Sequence, residues 1–384
     1  MIQRNARFKM LEMAKKFPVL VFTGPRQSGK TTLSRLVFPD YRYVSLENPD
    51  YLEFATNDPR GFLREYDKYV IIDEAQNAPQ LFSYIQQVVD DSGLTGQYVL
   101  SGSQNFLLLE KITQSLAGRV YLMELLPLSH DEISTVQQQE VFDEIVKGSY
   151  PRVYDKDIQP RDFYPGYVRT YVERDVKTII NVQDLALFRK FLSLLAHHVG
   201  QLFNASRISK ELGVDSKTVQ RWMSILESSY IAFTLSPWHA NLSKRIVKTP
   251  KLYFYDTGLV AYLLGIKKGG DVQTSTYKGA LFENYSILEI MKSHKNKGIY
   301  QEFYFWRDSN GNEIDLLIVE GNRILCCEMK ASQTVKSDYL KSLHYLDDRG
   351  DYTYQHCLIN TSGVSQNRTN ERIVSWTDLS SVSI

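Results

Sequence analysis

The sequence predicts an α/β protein with a helical segment in its middle, and three observations carry this prediction. Near the N-terminus, residues 18–38 read as a short apolar strand, a glycine-rich loop and a helix. Residues 205–228 read as two helices joined by a turn that contains glycine. Residues 313–330 read as a hairpin of two apolar strands that carries acidic residues. Since the chain has 384 residues, more than one core is expected.

The composition is that of an ordinary globular protein, with 43% hydrophobic and 23% charged residues and a formal net charge of +1. This small net charge does not favour binding to a polyanion, so any basic surface must be local. The three cysteines, Cys326, Cys327 and Cys357, lack metal-ligand spacing and suit a reducing compartment. The longest apolar stretch contains Asp256 and is too short to span a bilayer. We therefore expect a cytoplasmic protein with no membrane partner.

The first apolar run, "PVLVFT", is followed by "GPRQSGKT", which satisfies the phosphate-binding loop pattern between a strand and a helix. Glycines allow the backbone to curl so that its N–H groups meet phosphate oxygens. In this pattern Lys30 supplies charge to the outer phosphates, and Thr31 offers its hydroxyl to Mg²⁺. The predicted nucleotide-binding residues of the loop are Gly24, Pro25, Arg26, Gln27, Ser28, Gly29, Lys30, Thr31 and Thr32. The expected ligands are ATP and Mg²⁺.

Two further apolar strands end in polar residues that suit nucleotide hydrolysis. "YVIIDEAQ" ends in Asp73, which is predicted to hold Mg²⁺, and in Glu74, which is predicted to polarise the attacking water. "QYVLSGSQN" ends in Ser103 and Gln104, polar groups able to sense the terminal phosphate. Because these strands follow the loop in this order, the sequence predicts both binding and hydrolysis of ATP.

The stretch "ASRISKELGVDSKTVQRWMSILESSYIAF" predicts a helix-turn-helix. Gly213 is expected to turn the chain, and Asp215 or Ser216 to cap the second helix. Buried positions at helical spacing are Ile208 and Leu212 on the first helix and Val219, Trp222, Met223 and Leu226 on the second. This leaves Lys217, Gln220 and Arg221 outside, where they could contact phosphates and base edges of DNA.

A local excess of basic residues surrounds this motif. They are Arg207, Lys210, Lys217, Arg221, Lys244, Arg245, Lys248 and Lys251, against the acids Glu211, Asp215 and Glu227. The β-like stretch after Tyr230 would form the wing of a winged helix. DNA is one partner of such a surface. The other interpretation is a module that docks a protein or serves as a lid.

In the C-terminal hairpin, Gly321 and Asn322 favour a two-residue turn, which fixes the register of the two strands. The predicted pairs are Glu320–Arg323, Leu317–Cys326, Asp315–Glu328 and Glu313–Lys330. Asp315 and Glu328 would then lie about 5 Å apart, with a repulsion of about 3 kcal/mol at an effective dielectric near 20. A divalent cation, Mg²⁺ or Mn²⁺, would turn this penalty into a binding site. The alternative is a salt bridge between Lys330 and the acids, without metal.

Two resemblances extend these predictions. The arrangement of Asp315, Glu328 and Lys330 resembles the PD-(D/E)xK nuclease core, although Ile314 stands where proline is expected. That family usually adds a glutamate from a preceding helix, and Glu283 lies in such a helical pattern. The resemblance implies metal ligation by Glu283, Asp315 and Glu328, and a catalytic Lys330 that activates water or stabilises the transition state.

The whole chain resembles a large prokaryotic family of AAA-type ATPases, through "GPRQSGKTTL", "IIDEAQ", "LSGSQ", "LAGR", "LPLS" and "EMKAS". This resemblance implies a P-loop ATPase core over residues 1–135, a helical lid or linker over 136–200, a winged helix over 201–265 and a nuclease-like domain over 266–384. AAA-type ATPases often receive an arginine from a neighbouring subunit, which implies a catalytic Arg119 and a homo-oligomer. A local salt bridge is the other interpretation of Arg119.

The combined prediction is an ATP-hydrolysing protein that acts on DNA, with a C-terminal domain that cuts or grips it. The alternative is a nucleotide-dependent regulatory switch that binds a protein partner and whose nuclease-like domain is inactive.

Overall fold

The computed structural model describes residues 2–102, 115–172, 185–238, 248–347 and 350–384. Ser103, Gln104, Lys244 and Arg245 lie outside these ranges. The chain divides into two compact units. The first comprises Gln3–Leu128 with Lys295–Ile299, and the second comprises Ser129–His294 with Tyr300–Ile384. None of the described helices is both long and apolar enough to cross a membrane.

The first unit alternates strands and helices. Its strands are β1 (Val19–Thr23), β2 (Arg42–Ser45), β3 (Val70–Asp73), β4 (Tyr98–Ser101) and β5 (Val120–Glu124). Its helices are α1 (Ala6–Ala14), α2 (Lys30–Val37), α3 (Pro49–Asn57), α4 (Pro59–Glu65) and α5 (Leu81–Ser92), and a short 3₁₀ helix spans Ala75–Asn77. The strands form a parallel sheet in the order β2-β3-β4-β1-β5.

Both faces of this sheet are covered at its centre, which explains why the residues of β1, β3 and β4 are all buried. In β1, Val19 and Val21 enter one hydrophobic core, whereas Leu20 and Phe22 enter the core on the opposite face. The alternation of side chains along a strand thus fixes both layers at once. Strand β1 leads into the phosphate-binding loop, and β3 ends at Asp73.

The second unit contains eleven described α-helices. They are α6 (His130–Ile133), α7 (Val141–Lys147), α8 (Pro151–Asp155), α9 (Pro160–Tyr167), α10 (Leu185–His197), α11 (Ala205–Leu212), α12 (Ser216–Ser228), α13 (Thr257–Leu263), α14 (Gly269–Thr274), α15 (Lys278–Asn296) and α16 (Asp338–Lys341). Of these, α11 and α12 form the helix-turn-helix. A π-helical turn spans Val168–Val172, and 3₁₀ helices span Ser342–His344 and Trp376–Ser381.

The predicted helix-turn-helix is confirmed in its local details. Gly213 ends α11 with φ 72°, in the left-handed region that favours glycine. Asp215 caps α12 by accepting a hydrogen bond from the Thr218 N–H. The predicted inward-facing residues of both helices are buried, namely Ile208, Leu212, Val219, Trp222, Met223 and Leu226. The helix pattern alone therefore identified which face packs.

An eight-stranded sheet follows, in the order β12-β13-β11-β10-β9-β8-β6-β7. The strands are β6 (Ala232–Pro237), β7 (Lys251–Phe254), β8 (Glu302–Arg307), β9 (Glu313–Glu320), β10 (Arg323–Lys330), β11 (Thr353–Asn360), β12 (Gln366–Asn367) and β13 (Arg372–Ser375). Strand β6 pairs with β7 through its first four residues and with β8 through Ser236 and Pro237. The strands predicted to form a wing are thus part of this larger sheet.

The predicted hairpin register is confirmed from Glu320–Arg323 to Leu316–Cys327. The neighbouring pair is less regular, because the register between β8 and β9 shifts between Tyr304 and Trp306. Asp315 and Leu316 consequently lie together opposite Phe305. This arrangement of two residues against one is a β-bulge. The three cysteines are free and buried, as expected of small core residues.

Candidate functional site

The phosphate-binding loop connects β1 to α2 and depends on two glycines. Gly24 has φ 141°, and a Cβ at this position would lie 2.3 Å from the Leu125 carbonyl oxygen. Gly29 has φ 92° and caps α2 in the left-handed region. Side chains at these positions would clash or strain the backbone. The loop can therefore present its N–H groups and the start of α2 to an anion.

Lys30 is 7% exposed, and its ammonium donates hydrogen bonds to the carbonyl oxygens of Gly24 at 2.9 Å and Pro25 at 2.8 Å. Burial lowers the pKa of Lys30 to about 8, against the opposing charges of Glu74 and Asp73. The hydroxyl of Ser28 is buried and finds no hydrogen-bond partner among the described residues. A phosphate group would supply an acceptor for Ser28 and a counter-charge for Lys30, so the loop fits the phosphates of a nucleotide.

Asp73 is the centre of a hydrogen-bond network at the end of β3. Its Oδ2 accepts from the Thr31 hydroxyl at 2.8 Å and from the Tyr43 hydroxyl at 3.0 Å. Its Oδ1 accepts from the Ser101 hydroxyl. The structure thereby unites Thr31 of the loop with Asp73 of the second motif, as the sequence predicts. Thr31, through its hydroxyl, and Asp73, through its carboxylate, are the residues that would hold Mg²⁺ beside the phosphates.

Tyr43 and Ser101 were missed by sequence reasoning, because neither belongs to a motif. They flank Asp73 because β2 and β4 are the two neighbours of β3 in the sheet. Burial and the negative charge of Asp73 raise the pKa of Tyr43 to about 12, so its hydroxyl remains a donor at neutral pH. Sheet order, which the sequence did not specify, was the missing information.

Glu74 follows Asp73 in a left-handed conformation, with φ 52°. Its N–H donates to Asp73 Oδ1 at 3.2 Å, and its carboxylate accepts from the Gln76 amide. Non-glycine residues rarely adopt this backbone conformation, and such strain is common at functional sites. The predicted role of Glu74 in polarising water stays a prediction.

Arg4 is a second residue that sequence reasoning missed. It is 7% exposed, and its guanidinium donates to the carbonyl oxygens of Ser28 at 2.7 Å and Leu126 at 2.6 Å. It therefore ties the loop to the segment after β5. A basic residue near a chain end gives no signal for such a role.

Arg119, predicted to act on a neighbouring subunit, forms a pair with Asp90 of its own chain. Its Nε lies 2.6 Å from Asp90 Oδ1, and its second terminal nitrogen lies 2.8 Å from Asp90 Oδ2. This two-pronged contact matches the local interpretation of Arg119. The side chain retains 32% exposure, and the catalytic role in trans stays a prediction.

The second unit contains an acidic cluster. Carboxylate oxygens of Glu283 on α15 and of Glu313 and Asp315 on β9 all lie within 4.8 Å of one another. The predicted metal set contained Glu283 and Asp315, and the structure brings these two together. Among the described residues, it groups them with Glu313 rather than with the predicted Glu328. Glu313 joins Asp315 because residues two apart on a strand share a face, and the bulge at Asp315 disturbs the regular pairing that the prediction assumed.

Lys251 from β7 lies inside this cluster. It is 2% exposed, and its ammonium is 2.6 Å from Glu283 Oε1 and 2.7 Å from Glu313 Oε1. Tyr253 donates to Glu283, and Arg307 lies 3.1 Å from the second oxygen of Glu313. Burial alone would lower the pKa of Lys251, but the carboxylates raise it well above its usual value. Counting Lys251 among the exposed basic residues was therefore wrong.

Glu328 and Lys330 form an ion pair beside the cluster. Burial and the charge of Asp315 raise the pKa of Glu328 to about 8, although Lys330 opposes this shift. Asp315 itself accepts a hydrogen bond from the Met329 N–H at 2.8 Å. The predicted alternative, a salt bridge of Lys330 with an acid, is thus present. The residues predicted to read DNA, namely Lys217, Gln220 and Arg221, are exposed on α12.

Family models match three successive segments of the chain. Residues 16–134 match the model described as "AAA domain", residues 138–269 match a domain of unknown function (DUF8612), and residues 278–379 match another (DUF4143). Among curated proteins, uncharacterized proteins of Mycobacterium tuberculosis and Mycobacterium bovis are each 31% identical over 341 residues, which cover 86% of this chain and 74% of theirs. An uncharacterized protein of Haemophilus influenzae is 24% identical over 323 residues, covering 76% of this chain and 77% of its own.

Solved structures match less closely. A Walker-type ATPase of Pyrococcus abyssi is 15% identical with a TM-score of 0.39, covering 67% of this chain and 94% of that one. AMPPCP-bound DnaA from Aquifex aeolicus is 14% identical with a TM-score of 0.32, covering 58% and 85%. The family assignment rests on the matched AAA model and the mycobacterial relatives: the chain belongs to the prokaryotic AAA-type ATPases that continue into a C-terminal domain of unknown function.

Proposed function

We propose that this chain hydrolyses ATP to control its action on DNA. The hydrogen bond between Thr31 and Asp73, at 2.8 Å, carries the ATPase part of the proposal. It brings the hydroxyl of the loop and the carboxylate of β3 to one point, where a magnesium ion would bind both. Lys30 and Ser28 would meet the phosphates, and Glu74 would orient the attacking water.

The proposed DNA contact is the exposed face of α12. Lys217, Gln220 and Arg221 point away from the buried stripe of this helix, and they are the residue types that contact phosphates and base edges. With strands β6 and β7 following it, α12 would serve as the recognition helix of a winged helix. A protein partner on the same face is the alternative.

For the C-terminal domain we propose that it is catalytically inactive toward DNA. Four carboxylates, from Glu283, Glu313, Asp315 and Glu328, lie near three cations, from Lys251, Arg307 and Lys330. The ammonium of Lys251 already neutralises two members of the acidic trio. A metal ion would have to displace Lys251, whose side chain is 2% exposed, from its two carboxylate partners, which weakens the attraction for Mg²⁺.

Metal-dependent cleavage of DNA is the second candidate, favoured by the convergence of three carboxylates within 4.8 Å. Oxygen-only ligation suits Mg²⁺ or Mn²⁺. Incubation of plasmid and branched DNA with the full chain and Mn²⁺ separates the two proposals. Cleavage that disappears in Asp315→Ala and survives Lys30→Ala supports the nuclease. Intact DNA, with no Mn²⁺ bound at the acidic trio at saturating concentration, supports an inactive domain and the regulatory switch.

The DNA proposal is tested by measuring ATP turnover and DNA affinity with single-stranded, duplex and branched DNA over a salt series. We expect stimulation by one DNA form and affinity that falls steeply with salt. The double variant Lys217→Ala/Arg221→Ala should weaken binding, whereas Lys156→Ala/Arg161→Ala removes two exposed charges elsewhere and should not. A flat salt response, or equal binding by both variants, would overturn the DNA contact and favour a protein partner.

A further inference from the structure

Two histidines and an aspartate that take no part in the nucleotide loop or the acidic cluster converge in the second unit. His344 ends the 3₁₀ helix Ser342–His344, Asp347 follows three residues later, and His356 lies on β11. One side-chain nitrogen of each histidine and one carboxylate oxygen of Asp347 all lie within 4.8 Å of one another. We propose that His344, Asp347 and His356 form a binding site for a divalent transition metal ion of the zinc type.

Both histidines already contact the carboxylate of Asp347 directly. His344 Nδ1 lies 2.7 Å from Asp347 Oδ2, and His356 Nε2 lies 2.7 Å from Asp347 Oδ1. The two imidazole rings are 4.1 Å apart with an angle of 37° between their planes. Ligand atoms of a tetrahedral zinc ion at bonds of about 2.0–2.1 Å are separated by about 3.4 Å. Small side-chain rotations would therefore suffice to hold the ion.

Glu371 adds a contact that metal-binding histidines commonly make. Its Oε1 lies 3.3 Å from Nε2 of His344, the ring nitrogen that faces away from Asp347. Histidines that bind metals usually donate their other N–H to a carboxylate, which fixes the tautomer. In the neutral ring this leaves the lone pair of Nδ1 facing a carboxylate oxygen. That contact is favourable only with a cation between them, either a second proton or a metal ion.

The ligand types and exposure indicate which ion fits. Two imidazole nitrogens and one carboxylate suit Zn²⁺ and similar ions, whereas Mg²⁺ and Ca²⁺ prefer oxygen-only sets. The side chain of Asp347 is 36% exposed, which leaves room for water as a fourth ligand. His356, by contrast, is only 10% exposed and is held on β11. Bound metal would tie the turn at residues 344–347 to β11 and, through Glu371, to the start of β13.

The test uses the full chain, stripped with a chelator, and isothermal titration with zinc in excess magnesium, which occupies oxygen-only sites. We expect one zinc ion per chain, a melting temperature that rises with zinc, and its reversal by chelator. His356→Gln should lower zinc affinity by at least about tenfold. The exposed histidine variant His197→Gln, outside the site, should bind zinc like the parent chain.

Cobalt gives an independent readout, since its visible absorption is strong in four-coordinate sites and weak in water. The expected bands should appear in the parent chain and in His197→Gln and be lost in His356→Gln. If His356→Gln fails to fold, Asp347→Asn provides the same comparison with a nearly isosteric side chain. Equal zinc affinity in the parent and in either site variant would overturn the proposal, as would a melting temperature that zinc does not move.

Discussion

The ammonium nitrogen of Lys251 lies 2.6 Å from Glu283 Oε1, in a pocket where Lys251 is 2% exposed. Lysine is rarely buried this deeply unless it is paired. The contact joins β7 to α15, two elements that are separated by 23 residues in sequence. A lysine from the strand pair after the helix-turn-helix therefore completes the charge balance of the C-terminal acidic cluster.

Replacing Lys251 with methionine should lower the free energy of unfolding by about 3 kcal/mol, because it leaves buried carboxylates without their cation. Urea denaturation of the full chain measures this change. Lys267→Met, at an exposed position, is the control and should stay within about 0.5 kcal/mol of the parent. If millimolar Mn²⁺ restores the stability of Lys251→Met alone, the acidic trio binds metal once the lysine is absent. Unchanged stability in Lys251→Met would contradict the buried ion pair.

Glu74→Gln should retain ATP binding but lose at least about 100-fold in turnover, because a general base contributes about 10² or more. Steady-state phosphate release and nucleotide affinity measure the two effects. Glu47→Gln changes an exposed glutamate after β2 and should leave both unchanged. Parallel loss of binding and turnover in Glu74→Gln would show that the residue maintains the loop instead.

The two interpretations of Arg119 can be distinguished by comparing the alanine variants of Arg119 and Asp90. If Arg119 stabilises the transition state on a neighbouring subunit, Arg119→Ala should abolish turnover with ATP affinity nearly intact, whereas Asp90→Ala should retain turnover. If the pair is only structural, both variants should lose the same small amount of stability and keep similar turnover. The measurements are ATP turnover, ATP affinity and melting temperature. Equal loss of ATP affinity and turnover in Arg119→Ala would reject the role in trans.

His130 predicts a pH dependence of stability. Burial lowers the pKa of His130, but its hydrogen bond to Glu144 and the charge of Glu289 outweigh this effect and raise the pKa above its usual value. Because the folded form holds the proton more tightly, this stabilisation is fully present below the unfolded pKa of about 6.5 and is lost as pH rises through the folded pKa.

The melting temperature of His130→Gln should consequently differ most from that of the parent below about pH 6.5, and the difference should shrink at higher pH. Melting curves of both proteins across this range give the result. His197→Gln serves as the control, since it removes an exposed imidazole and leaves the contact with Glu144 in place. A difference that is constant with pH would contradict the charged contact with Glu144.

Much of the nucleotide site could be predicted, because its motifs are continuous in sequence. The glycines determine the shape of the loop at residues 24–31, and the apolar run before Asp73 predicts a buried strand. Tyr43, Ser101 and Arg4 could not be found this way. Each contacts the site only because the sheet order or a distant carbonyl group brings it there, and neither is encoded in a local pattern.

The acidic cluster shows the same limit. Hairpin pairing predicted Leu317 opposite Cys326, and this is what the structure has. The bulge at Asp315 arises from the pairing of β9 with β8, a strand that the hairpin argument did not include. Lys251 comes from still farther away along the chain. A prediction from residue spacing therefore identified Glu283 and Asp315 but not the cation that neutralises them.

Strand β6 gives the chain a mechanical property. It follows α12 after a short turn. Its first four residues pair with β7, and Ser236 and Pro237 pair with Tyr304 and Phe305 of β8. No unpaired residue separates the part of β6 that pairs with β7 from the part that pairs with β8. A force applied to α12 would therefore be transmitted through β6 into the eight-stranded sheet. Expressing residues 266–384 alone would remove β6 and expose the edge of β8, an edge prone to self-association.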